Sequence, residues 1–389
     1  MLPLGFIGIR WFTIHMAPQT RGSGIPQVIA AMGMQAGPAQ SMLVSFRQAM
    51  WKIVLTAAGL LVGASIGREG PSVQVGAALM LSWGKWWQKR PRFAVGFRPE
   101  ALIVAGAAGG LAAAFNTPLA GVVFAIEELG RGSAVRWDRL VMSATMAAGF
   151  ITLAIFGNNA YFHVQESFEI LQASWWAVAI CALINGALGG LFGKALLAGP
   201  QRWLPPRQRT WVERRPLIIA GLCGLLVAGL GMMAHGSTYG TGYEQVATLL
   251  NGQPGESAWF GISKFFATIF SYFAGIPGGI FTPSLAIGAG IGDNIAQFFP
   301  GDFDGRLIVL LSMAAFLAGA TQAPITASVI VMEMTRSQDV TLLLLAATVA
   351  ASFVSRQFCP RPFYHAASRN FRREAMHKVK AVRENVDAT

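Results

Sequence analysis

The sequence predicts an all-α polytopic membrane protein, an inverted-topology repeat of broken, tilted helices that meet near the bilayer midplane. Three observations carry that prediction. The first is composition: of 389 residues, 53% are hydrophobic and 12% charged, with a mean hydropathy of +0.49. A soluble domain carries about 25% charged residues, so this chain has too few to cover a water-facing surface. A cytosolic globular enzyme, a disordered chain and a disulfide scaffold are excluded. The second is a series of apolar stretches close to the roughly 20 residues that cross a bilayer. The third is a set of segments broken by glycine and proline, tolerated at membrane depth only where protein or a polar cavity surrounds them.

Taken in order, residues 2–16 are apolar and lead to Gly22-Ser23-Gly24-Ile25-Pro26, where the proline suits a first helical turn. Residues 50–66 can span, and an apolar run over 53–81 is interrupted by Gly67-Arg68-Glu69-Gly70-Pro71. Pro118 opens a segment whose apolar part, 121–126, ends on Glu127 and Glu128. Residues 140–156 form a further span and close the first half, 1–157. The second half, 172–360, holds spans at 175–197, 217–233 and 342–354. Its interruptions are Gly278-Gly279-Ile280-Phe281-Thr282-Pro283 and Ala323-Pro324-Ile325-Thr326. Residues 361–389 are expected to form a final helix and a short basic tail, with no room for a regulatory domain. Interrupted segments in both halves point to an inverted repeat with its site near the midplane, although internal identity is too weak to establish the repeat.

The formal net charge is +12, and its distribution argues against nucleic acid. Basic residues gather in three segments between apolar runs: Lys85, Lys89, Arg90, Arg92 and Arg98; Arg202, Arg207, Arg209, Arg214 and Arg215; and the tail from Arg356 onward. Acids dominate other loops, at Glu166, Glu169, Glu244, Glu256, Asp293, Asp302 and Asp304. The positive-inside rule puts the basic segments in the cytoplasm, where they would also face anionic lipid headgroups. Cys181, Cys223 and Cys359 are unevenly spaced, and neither they nor the five histidines show metal-ligand spacing. No metal or other cofactor is expected.

Four places carry chemistry. At 22–26, Ser23 precedes a helix start, where its hydroxyl either caps the helix or points into a cavity. A helix beginning inside the membrane aims unpaired N–H groups and a positive dipole end at whatever lies ahead, and an anion suits both. At 67–71, Arg68 and Glu69 interrupt an apolar run, at a cost of about 2.5–3.5 kcal/mol per charge at a helix centre. They are either a structural ion pair or a site in which Glu69 mimics an anion when ionised and withdraws when protonated. At 278–283, two glycines let backbone N–H groups approach a ligand, and such donors bind an anion without bringing full charges into the membrane. A tight interhelical turn is the competing explanation. Of Glu127 and Glu128, one faces inward as a proton station, or both are a solvated pair. Glu333 has no partner motif and reads as structural. Tyr364 presents a phenol to a cavity or anchors at the interface.

Together these residues resemble the CLC family of chloride channels and proton/chloride antiporters. The family's three signature regions match the 22–26, 67–71 and 278–283 motifs in order. Further matches are Ile126-Glu127-Glu128, the segment from Ala323-Pro324-Ile325-Thr326 through Val331-Met332-Glu333-Met334-Thr335, and Arg361-Pro362-Phe363-Tyr364. The resemblance implies that the Ser23 and Tyr364 hydroxyls and the Ile280 and Phe281 amides bind a central chloride. Glu69 would be the external gate and proton carrier, and Glu128 the internal proton-transfer glutamate of the antiporters. Gly22, Gly24, Ile25, Pro26, Gly67, Arg68, Gly70, Pro71, Gly278, Gly279 and Pro283 would shape the loops. It further implies a multi-pass homodimer in a bilayer, of prokaryotic type in a bacterial inner membrane, exchanging chloride for protons. Serine at 23 implies chloride, since members that prefer nitrate tend to carry proline there. Gln27 replaces an acid common after the first signature proline. Only 21 residues precede Gly22, where the family has a long first helix and most of a second. Residues 2–16 are therefore expected to be the end of that second helix.

A chloride channel of the same fold is the alternative. An intramembrane serine hydrolase using Ser23 and one of His15, His163, His235, His365 or His377 is the remote one. It lacks the Gly-x-Ser-x-Gly pattern, because Arg21 stands where the first glycine belongs.

Overall fold

The computed structural model describes residues 1–88, 98–131, 139–157, 159–164, 168, 174–202, 205–255, 257–299 and 303–387. Lys89, Arg90, Arg92, Glu166, Glu169, Glu256 and Asp302 lie outside the described residues. The described chain is helical throughout, with two isolated β-bridges and no strand.

Proline and glycine punctuate the helices. Proline stands in the first turn of α1 (Leu2–Met16), α2 (Ile25–Met32) and α3 (Pro38–Leu43). Its ring pre-sets the helical φ and its missing N–H is not needed there. The next helix, α4 (Phe46–Val62), stops four residues before the apolar stretch does. Gly63 takes a left-handed conformation (φ 96°) and turns the chain inward toward α5 (Glu69–Gln88). A 17-residue α6 (Pro99–Phe115) follows, then α7 (Pro118–Phe124), which passes into one turn of π-helix over Ala125–Leu129. Next come α8 (Arg139–Phe156) and α9 (Ser174–Arg202), which kinks at Gly199 before Pro200.

The later part of the chain repeats the alternation of long and short helices: α10 (Pro206–Arg214), α11 (Pro216–Met233), α12 (Tyr243–Leu250), α13 (Phe260–Phe273) and α14 (Phe281–Ala296). They are followed by α15 (Gly305–Thr321), α16 (Pro324–Thr335), α17 (Thr341–Phe358) and α18 (Phe363–Asp387). By length and composition α9, α11 and α17 can each cross a membrane. α15 is buried along its whole length from Leu307 to Thr321, as expected of a helix apolar on every face. Together with α14 it is the centre around which the other helices pack.

Two contacts are exchanged between similar segments. The Glu127 carboxylate accepts hydrogen bonds from the Ile325 and Thr326 amides at the start of α16, at 3.2 and 2.6 Å. The Glu333 carboxylate accepts from the Leu119 and Ala120 amides at the start of α7, at the same two distances. One interval along the chain relates all three pairs: Leu119 to Ile325, Ala120 to Thr326, and Glu127 to Glu333. Reciprocal contacts of this kind are what a two-fold axis between similar segments produces.

Two loops also match. Thr20-Arg21-Gly22-Ser23-Gly24 and Thr238-Tyr239-Gly240-Thr241-Gly242 have glycines of matching positive φ: 67° and 106° in the first, 64° and 85° in the second. A fully buried lysine holds each loop. Lys52 donates to the Thr20 and Gly22 carbonyls at 2.7 and 2.6 Å, and Lys264 to those of Thr238 and Gly240 at 2.9 and 2.8 Å. The counterpart of the 22–26 motif is therefore the 238–242 loop, which sequence reading passed over.

The halves differ in one packing feature. α9 lies in the groove between α15 and α17, its Gly186 and Gly190 against Ala351 and Ser355, its Gly189 against Gly319 and Ala320. The Phe192 ring meets Phe265 and Phe316. At the positions equivalent to Phe265, Phe316 and Ala320 stand Ile53, Gly110 and Ala114, and these line a cleft of about 990 Å³ that also borders Arg68.

Candidate functional site

Backbone hydrogen bonds sew the three signature loops together. The Gly22 amide donates to Ile276 and the Gly278 amide to Gly22, each at 3.1 Å. Gly67 and Gly279 exchange both of their amide–carbonyl bonds, at 2.8 and 2.7 Å. Residues more than 200 positions apart in sequence thus share one junction, and α2, α5 and α14 all begin there. The N–H groups of each first turn have no acceptor within their own helix, so the junction collects donors and three positive dipole ends.

The glycines permit this close approach. A Cβ on Gly70 would stand 2.2 Å from the Ser23 hydroxyl oxygen and 2.7 Å from the Ser23 carbonyl. One on Gly67 would stand 2.3 Å from a Glu69 carboxylate oxygen, and one on Gly279 3.1 Å from both the Gly67 carbonyl and the Gly70 amide.

Ser23 does not cap α2; Gly24 occupies the capping position. Its hydroxyl is buried and faces the Tyr364 phenol, and the two interact without forming a well-aligned hydrogen bond. Among the described residues no histidine hydrogen-bonds to Ser23. Tyr364 is fully buried, its ring stacked on Phe281 at 5.9 Å and 12°. It lies within electrostatic reach of both Glu69 and Glu128. Ile280 precedes the first residue of α14, Phe281, so their amides open that helix.

Glu69 is fully buried, and neither carboxylate oxygen has a hydrogen-bond partner among the described residues. It makes no ion pair with Arg68, whose exposed guanidinium lies 5.9 Å from the Tyr161 ring centre. The structural-pair explanation of the 67–71 motif therefore fails. Glu127 and Glu128 separate cleanly. Glu127 is bound to the start of α16, whereas Glu128 is 1% exposed with no hydrogen bond to either oxygen. The two glutamates are adjacent on one turn of π-helix and so point to different faces; such turns often mark functional sites. Glu333 is structural, as expected.

Lys52 was missed. Its amino group is buried against the Gly22 carbonyl, directly behind Ser23. The available signal was a lone lysine in the 46–62 apolar run, matched by Lys264 in the 260–273 run.

The fold and junction define a class: an integral membrane protein whose broken helices bring donors, hydroxyls and titratable acids to one buried point. The chain belongs to the voltage gated chloride channel family, which it matches over residues 5–356. It is similar to the H(+)/Cl(-) exchange transporter ClcA of Yersinia pestis, 29% identical over 369 residues, covering 90% of this chain and 73% of that one. The protein of the same name from Vibrio vulnificus is 28% identical over 378 residues, covering 93% and 76%. A solved slow cyanobacterial Cl-/H+ antiporter superposes with a TM-score of 0.77 at 26% identity, over 95% of this chain and 86% of that one. A CLC-type fluoride/proton antiporter, 23% identical, superposes at 0.72 over 94% and 87%, a likeness of fold.

Proposed function

We propose that the protein exchanges chloride for protons across a membrane. The observation that carries this reading is the buried junction itself, where three helix N-termini, the Ser23 and Tyr364 hydroxyls and the Glu69 carboxylate converge. The chloride would take the Ile280 and Phe281 amides and the two hydroxyls as donors. Such groups bind a dehydrated halide but release it readily, because none carries a full charge. Lys52 braces the loop from behind through the Thr20 and Gly22 carbonyls. Glu69 at the start of α5 competes as an internal anion when ionised and leaves, carrying a proton, when neutral. Glu128 serves as the proton station on the other side of Tyr364. The relatives named as proton/chloride exchangers support the same reading.

The reading extends to assembly and place. Residues 1–157 and 172–360 form the two halves of an inverted repeat, supported by the exchanged Glu127 and Glu333 contacts. The exposed apolar side chains of α8 (Phe150, Ile151, Ile155) and α17 (Leu342, Phe353) require lipid or a second copy of the chain, consistent with a homodimer in a bacterial inner membrane. The basic α18 lies on the cytoplasmic side.

Purified protein in liposomes, given a chloride gradient, should drive protons against their own gradient. Chloride flux with a reversal potential that follows chloride alone would make it a channel of this fold instead.

A further inference from the structure

Glu128 is buried, so a proton needs a route to it from water. The side chain that reaches it is His365, in the first turn of α18. Its Nε2 lies 2.8 Å from the Glu128 carbonyl oxygen and 3.8 Å from Glu128 Oε1. The His365 side chain is 22% exposed and that of Glu128 1%. The ring therefore spans the boundary between solvent and a carboxylate that has no hydrogen-bond donor of its own among the described residues. We propose that His365 passes protons between the solvent on the α18 side and Glu128, an assignment that rests on Glu128 being the inner proton station.

The geometry dictates the order of events. A carbonyl oxygen only accepts, so Nε2 carries the hydrogen in the resting neutral ring and Nδ1 keeps its lone pair. A proton from water binds Nδ1 and gives an imidazolium. The Nε2–H bond then breaks as an O–H bond forms at Glu128 Oε1, directly after a small side-chain rotation or through one bridging water. What remains is neutral imidazole protonated on Nδ1, which resets by gaining a proton at Nε2 and then losing the one on Nδ1 to water. No charge is stranded, since imidazolium and carboxylate become imidazole and carboxylic acid.

The surroundings favour transfer over a permanent ion pair. Burial of the ring, and after it the charges of Arg131 and Arg369, oppose a lasting imidazolium. Glu127 is held by the start of α16 and by Arg131 at 3.9 Å, so it does not compete for the proton. Of the other elements packed on α18, α2 and α3 carry no ionisable side chain. α9 contributes Lys194 and Arg202, and α15 contributes Arg306, which is held by Asp304. Further along α18, Glu374 is taken by Arg21.

The test uses the full chain in liposomes, with coupled proton and chloride fluxes followed from about pH 5.5 to about pH 8, across the ordinary imidazole range. His365→Ala should lower proton flux on the order of tenfold and remove its inflection in that range, and added imidazole should restore both. His365→Gln can still donate to the Glu128 carbonyl but cannot titrate, so it should show the same loss even if the alanine variant folds poorly. A glutamine variant with the wild-type flux and pH profile would reduce His365 to a structural hydrogen bond and overturn the relay. Glu128→Gln, run in parallel, separates the two readings. If it leaves proton flux intact, Glu128 is not the station. If it stops protons while His365→Gln does not, the relay alone is wrong.

Discussion

The first and second halves of the chain share a scaffold and differ in where they put acids. Each has a glycine-rich loop held by a buried lysine, a helix beginning at a broken segment, and a glutamate that binds the opposite half's short helix. Where the first half has Glu69, the equivalent position of the second is Phe281; where it has Glu128, the second has Met334. The acids present in both halves, Glu127 and Glu333, are structural. Glu69 and Glu128, which lack an acidic counterpart, are the buried carboxylates without hydrogen bonds among the described residues. The comparison teaches that symmetry marks what holds the fold, and its breaking marks the chemistry. The seat of α9 in the second half and the cleft in the first are a second break, in packing.

The harshest way to break the comparison is at Gly70, whose second-half equivalent is Thr282. A side chain is accommodated there, but on Gly70 it would collide with Ser23. Gly70→Ala should abolish chloride flux in liposomes, because overpacking by one methyl costs about 1–3 kcal/mol and falls on the anion loop. Retained flux would mean that α2 and α5 do not jointly form the site. A smaller effect is expected at the lysines. Removing the lysine donor from its two carbonyls costs about 0.5–1.5 kcal/mol per hydrogen bond. Lys52→Met and Lys264→Met should therefore both lower thermal stability in detergent, while only Lys52→Met weakens chloride binding measured calorimetrically. Equal effects on binding would remove the functional distinction between the two loops. The smallest effect belongs to the shared acids. Glu127→Ala and Glu333→Ala should destabilise by similar amounts, about 0.5–2 kcal/mol each, as for loss of a helix cap, with proton coupling kept in both. Loss of coupling in Glu127→Ala alone would give that residue a role beyond its bond to α16.

Much of the site was legible in the sequence because its loops are made of residues whose backbone needs are local. Glycine and proline announce a break wherever they cluster, so the 22–26, 67–71 and 278–283 motifs stood out without any knowledge of what they touch. What joins them, the hydrogen bonds of Gly22 to Ile276 and of Gly67 to Gly279, is a long-range property that no local pattern encodes. Local pattern alone left Glu127 and Glu128 undivided for a related reason, and the choice of Glu128 came from the family resemblance. Adjacent residues look alike in a one-dimensional pattern, and only the π-helical turn and the position of α16 separate them. Lys52 was hidden by averaging, since one lysine barely changes the hydropathy of a 17-residue helix. The end of α4 was placed late because the residues after Gly63 are as apolar as those before it; the left-handed glycine, not polarity, ends the helix.

The central claim is that Glu69 gates the anion junction by exchanging its own charge and proton with the transported ion. Simultaneous chloride and proton flux from liposomes containing Glu69→Gln tests it most directly. A neutral amide of the same shape should leave chloride moving and stop protons completely. Proton transport that persists in that variant would contradict the account.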